Sequence, residues 1–186
     1  RRGVGVERAV REEQIDLPGG EGEARAYALS EEDMLALGRL MAGALQGSLT
    51  AQKLLLHGPL GAGKTTLTRG LVDALPGGGK ARVSSPSFNI VNYYPTRPEC
   101  AHFDLYRLEG AAADESLMEA FEADDMLVIV EWAQYLDQSF MPEDRLDLEW
   151  IRSTGEREII LKPTGPEAER YLNQIIAPGA RGGSGN

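Results

Sequence analysis

The chain has 186 residues, a length that fits one domain. Hydrophobic residues make up 42% of it, which excludes fibrous and wholly disordered classes and allows a packed core. Lys and Arg number 19 against 29 Asp and Glu, a formal charge of −10, which argues against tight autonomous binding of RNA or DNA and for protein partners or small anions held in a local positive pocket.

Residues 1–23 are rich in charge and glycine without periodicity and read as a flexible leader. Arg1, Arg2, Arg8 and Arg11 are not followed by an apolar run, so no signal peptide is visible. Residues 24–29 suit a short first strand. Ser30 then caps a helix, with Asp33 closing a variant capping box, and Leu37, Met41, Ala44 and Leu45 form its apolar stripe. Residues 53–57 have the length and apolarity of a buried strand. The glycine loop follows directly, and residues 64–75 repeat apolar side chains as a helix packed on a sheet does, ending at Pro76.

That loop reads Gly58-Pro59-Leu60-Gly61-Ala62-Gly63-Lys64-Thr65, the pattern G-x-x-x-x-G-K-[ST]. Glycines leave backbone amides open to converge on a phosphate, and the helix start adds unpaired N–H groups and its positive dipole end. Lys64 places a charge on the terminal phosphates, the Thr65 hydroxyl suits magnesium, and Thr66 can reach an inner phosphate. The strand before and the amphipathic helix after meet the context the motif requires; a bare glycine turn would need neither.

Ser84-Ser85-Pro86-Ser87-Phe88 supplies hydroxyls and a rigid turn. It reads equally as a switch around a γ-phosphate or as an ordinary serine-rich turn. Residues 88–94 and 100–108 are strands parted by a turn. In the second, alternation sets His102, Asp104 and Tyr106 on one face, which puts His102 and Asp104 together beside a phosphate-binding edge or leaves the face simply in solvent. Cys100 has no partner in the chain, so a cytosolic, reducing compartment is the simplest reading. Residues 114–121 look helical. Residues 126–131 form a buried strand ending in Glu131, a Walker B-like placement at a strand's carboxyl edge. No apolar run is long enough to cross a bilayer. Residues 145–151 and 156–161 read as a hairpin and 166–176 as a terminal helix, before a Gly- and Ser-rich tail at 179–186. The fold class is α/β: a single P-loop NTPase-like domain over 24–178, with a mixed, mostly parallel central sheet flanked by helices.

Taken in order, Gly58–Thr65, Ser85-Pro86-Ser87-Phe88, His102-Phe103-Asp104-Leu105-Tyr106-Arg107 and Glu131-Trp132 resemble the TsaE family, the ATPase subunit of bacterial tRNA threonylcarbamoyladenosine biosynthesis. The resemblance implies that ATP and Mg2+ are bound and that hydrolysis, weak alone, is expressed with a TsaB–TsaD heterodimer. tRNA is then met only through that complex, and no membrane is involved. It also implies phosphate contacts from Gly58, Gly61, Ala62, Gly63, Lys64, Thr65 and Thr66, with magnesium at Thr65, Glu131 and Asp104. Asp104 and Glu131 become the essential acids, Trp132 an aromatic beside the site, and Ser85 and Ser87 parts of a switch-like loop. Tyr106-Arg107 is either structural or faces a partner. Two departures stand out: Pro59 replaces the family's usual Asp, and Ser87 its usual Thr. A P-loop small-molecule kinase is the main alternative, although no arginine-rich lid follows Glu131. A GTPase lacks its Asn-Lys-x-Asp segment here, and a nucleotide-gated module that scarcely hydrolyses differs only in degree.

Overall fold

A computed structural model of the chain describes residues 15–16, 22–27, 30–46, 51–86, 89–108, 114–152 and 157–177. Its strands are β1 (Ile15–Asp16), β2 (Ala24–Tyr27), β3 (Lys53–His57), β4 (Val91–Tyr94), β5 (Glu99–Asp104), β6 (Met126–Glu131), β7 (Arg145–Arg152) and β8 (Arg157–Thr164). Its helices are α1 (Glu31–Leu45), α2 (Lys64–Ala74), α3 (Glu115–Glu122) and α4 (Pro166–Ile176).

The strands form one sheet in the order β1-β2-β8-β7-β3-β6-β5-β4. The centre, β7-β3-β6-β5, is parallel. Antiparallel strands extend it on both sides, with β8 and β2 on one flank and β4 on the other. Ile15 and Asp16, within the stretch read as a leader, pair with β2.

The two innermost strands, β3 and β6, are covered on both faces, and they run apolar through Leu54–Leu56 and Leu127–Val130 for that reason. Alternation divides them. Leu54, Leu56, Leu127 and Ile129 join the core under α1, α2 and α4, whereas Leu55, Val128 and Val130 join the one under α3. α1 and α2 cross closely because Gly38 faces the α2 backbone and Gly70 the α1 backbone; a methyl group at either would strike main chain. Tyr171 of α4 ties the layer together by donating its hydroxyl to the Met41 carbonyl at 3.0 Å.

Local signals act as their chemistry requires. Ser30 accepts from the Asp33 amide and Asp33 answers at the Ser30 amide, completing the capping box. Asp114 is the cap of α3 rather than its first turn. Leu75 leaves α2 for an extended conformation because Pro76 follows it. β4 begins at Val91, later than expected, since Ile90 holds φ 69 and cannot extend the strand. β8 runs on through Pro163, beyond Leu161 where its pairing with β2 stops, so the missing amide leaves no gap on that side. Cys100 is buried, and burial pushes its thiol well above the usual range, which fits a packing role. No helix among the described residues is long and apolar enough to cross a membrane.

Candidate active site

Register brings the site together. β6 lies between β3 and β5, pairing Glu131 with Leu56 on one side and with Asp104 on the other. The carboxyl ends of three parallel strands therefore meet at the point where the glycine loop leaves β3. A cavity of about 500 Å³ opens there. Leu60, Gly61, Ala62, Gly63, Lys64, Thr65 and Thr66 line it from the loop and α2, and Ser85, Asp104, Tyr106, Arg107, Glu131 and Trp132 complete it.

Gly63 caps α2 at φ 103, a conformation that disfavours any side chain, and contributes no side-chain cap. The first amides of α2 thus keep their hydrogens for a ligand, at the positive end of the helix. Gly58 does not line the cavity. Instead its carbonyl and that of Pro59 each accept from Lys64 Nζ at 2.8 Å. Lys64 is only 4% exposed, and its Nζ lies 4.0 Å from the centre of the Trp132 ring. Burial pulls its ammonium below the usual lysine range, while the charges of Glu131 and then Asp104 work in the opposite direction.

The two acids are nearly enclosed, Asp104 5% and Glu131 2% exposed. The Thr65 hydroxyl donates to Glu131 Oε2 at 3.0 Å, and His102 Nε2 lies 2.8 Å from Oε1. Ser85 Oγ donates to Asp104 Oδ2, and the Tyr106 amide donates to Oδ1 at 2.9 Å. Cation, hydroxyls and carboxylates are thus all held within the same pocket, each occupied by another protein group that a polyanion with its counter-ion can replace. Hard oxygen donors of this kind suit magnesium, which binds one or two carboxylates plus substrate phosphates. Among the described residues, no cluster of three His, Cys, Asp or Glu side chains forms a metal cage by itself.

Backbone strain collects at the same edge. Trp132 holds φ 60 and Ile90 φ 69, unusual for residues other than glycine and costing roughly 1–3 kcal/mol each. Ile90 earns its place through its carbonyl, which accepts the Asp104 amide at 3.0 Å. Trp132 in turn stacks with Tyr135 at 5.7 Å and meets Tyr106 at 4.8 Å.

Of the residues singled out by sequence, Gly61, Ala62, Gly63, Lys64, Thr65, Thr66, Ser85, Asp104, Glu131 and Trp132 all line the cavity. Ser87 lies outside the described residues. The solvated reading of the β5 polar face fails: His102 is fully buried against Glu131. Tyr106 leaves the strand for a 3-10 turn yet still reaches the cavity with Arg107, neither of which the residue pattern placed there. Their position just past a parallel strand's carboxyl end was the available signal. Tyr94, which reaches His102 from β4, carried none.

Known proteins resemble this chain in sequence and in fold. The family model described as "Threonylcarbamoyl adenosine biosynthesis protein TsaE" matches residues 28–159. A relative from Streptomyces coelicolor, named tRNA threonylcarbamoyladenosine biosynthesis protein TsaE, is 38% identical over 127 residues, covering 66% of this chain and 82% of its own. One of the same name from Bacillus subtilis is 35% identical over 125 residues, covering 66% and 76%. The crystal structure of Bacillus subtilis YdiB superposes with a TM-score of 0.66 at 26% identity, covering 82% of this chain and 93% of that one.

Proposed function

This chain belongs to the TsaE family of threonylcarbamoyl adenosine biosynthesis proteins, and from that premise we propose that it binds and hydrolyses ATP. Hydrolysis supports turnover of a TsaB–TsaD complex that threonylcarbamoylates the tRNA adenosine next to the anticodon. The chain meets tRNA only through that complex and acts in the cytoplasm.

One observation carries this reading: Lys64, Thr65, Asp104 and Glu131 converge on a single cavity at the uncapped start of α2. The amides from Gly61 to Thr66 and the Lys64 ammonium hold the phosphates, with Lys64 leaving the Gly58 and Pro59 carbonyls to do so. Thr65, with Glu131 and Asp104, would hold magnesium, which when bound neutralises charge on the terminal phosphates. The same two acids orient the attacking water. As its oxygen bonds to the γ-phosphorus, the bond from that phosphorus to the bridging oxygen breaks, giving ADP and phosphate, and the water's proton passes to a carboxylate or to solvent. Ser85, bonded to Asp104, joins the turn that senses the terminal phosphate.

Steady-state phosphate release, measured for the chain alone and with TsaB–TsaD, tests the proposal. Slow release alone and a clear rise with the heterodimer are expected. Phosphoryl transfer to a small acceptor, with no response to TsaB–TsaD, would favour the kinase instead.

A further inference from the structure

We propose that His102 is a positioning residue for Glu131, and that Tyr94 and His102 connect this carboxylate to the Ser84–Ser85 turn; the role given to Glu131 rests on the ATPase reading above. His102 is one of two histidines in the chain and is wholly buried. Glu131 has two oxygens to satisfy in nearly dry surroundings. Oε2 accepts from Thr65, and Oε1 faces His102 Nε2 at 2.8 Å. Once the Thr65 hydroxyl turns to a nucleotide-bound cation, Oε2 is released, and the His102 bond still fixes the carboxylate. A buried carboxylate set free at that moment would rotate, and rotation would spoil its aim.

The other ring nitrogen completes the connection. A carboxylate can only accept, so in a neutral ring the Nε2–H tautomer is the one that donates to Glu131, and it leaves Nδ1 as an acceptor. Tyr94 brings one hydroxyl proton to two acceptors, His102 Nδ1 at 3.4 Å and the Ser84 carbonyl at 3.3 Å. Asn92 donates to the same carbonyl at 3.2 Å and to the Tyr94 oxygen at 3.5 Å, so the tyrosine oxygen already has a donor. Ser84 precedes Ser85, whose hydroxyl holds Asp104. Movement of this turn withdraws the Ser84 carbonyl and commits the Tyr94 proton to Nδ1, which locks the tautomer that holds Glu131. The turn on one carboxylate thereby controls the fixity of the other.

Nitrogen-15 imidazole spectra of the nucleotide-free full chain test the geometry without any need for hydrolysis. With two histidines, one spectrum of the His57→Gln variant assigns both rings. His102 is expected as the Nε2–H tautomer, its signals shifted by Glu131→Gln and by Tyr94→Phe. An Nδ1–H tautomer, or signals indifferent to both changes, would overturn the proposal. Kinetics with TsaB–TsaD supply the second arm. Outer partners of catalytic groups are worth about 10–100-fold, so His102→Ala is expected to lower kcat by that factor while Mg-ATP affinity holds. His102→Gln keeps an N–H near the Nε2 position and is expected to recover most of that loss; Tyr94→Phe is expected to lower kcat less than His102→Ala does. Parallel loss of affinity and kcat, or failure of His102→Gln to recover in a folded protein, would overturn the positioning role. Expected spectra beside an unmutated chain that never hydrolyses ATP would instead sink the ATPase reading and leave the His102–Glu131 contact standing.

Discussion

The molecule contains two histidine–carboxylate pairs on neighbouring parts of one sheet, and they behave differently. On β3 and β7, His57 Nε2 lies 2.7 Å from Asp147 Oδ1, and Arg145 Nε donates to Oδ2 at 2.9 Å. On β5 and β6, His102 meets Glu131 at 2.8 Å, and a neutral threonine hydroxyl holds the second oxygen. The distances are nearly equal. The first carboxylate is closed off by a guanidinium, a fixed charge in a fork that does not exchange. The second is held on its open side by a hydroxyl that can turn to another ligand, beside a lysine whose ammonium rests on two carbonyls and a ring. A strong contact therefore marks neither pair as functional. What separates them is whether the remaining partner can be exchanged.

The largest test of that contrast is Glu131→Ala. A positioned carboxylate contributes about 10²–10⁴-fold, so hydrolysis with TsaB–TsaD is expected to fall by that order, well beyond the loss of Mg-ATP affinity from one missing magnesium ligand. Undiminished turnover would erase the distinction between the pairs. Next is Lys64→Ala, which removes the cation from the same pocket. Charge-assisted contacts of 1.5–3 kcal/mol correspond to a loss of affinity of roughly 10–100-fold, measured by calorimetric titration, and unchanged affinity would refute the role. The smallest effect on activity is expected from Asp147→Asn on the closed pair. It should cost about 1–3 kcal/mol in denaturant unfolding, by weakening two charged contacts, while turnover stays within about twofold. A large kinetic loss there would place the β3–β7 pair in the mechanism too.

Much of this was legible from residues alone wherever the signal is local. The phosphate loop declares itself because its glycines, lysine and threonine act at fixed spacing, and Ser30 with Asp33 marks a helix start for the same reason. Strand–helix alternation pointed to the parallel centre. Contacts made by register were not legible. Glu131 sits beside both Asp104 and His102 because β6 inserts between β3 and β5, and no spacing along the chain encodes that order. The same holds for Lys64 under Trp132, where a tryptophan at positive φ cannot be foreseen from its identity. His102 shows the difference most clearly. Alternation put it on the correct face of β5, yet only the neighbouring strands turn that face inward.

Calorimetric titration of the full chain with Mg-ATP, alone and with TsaB–TsaD, tests the central claim most directly. Saturable binding at one site per chain, weakened by Lys64→Ala, is the expected result. Absence of any binding, with the heterodimer present, would contradict the account.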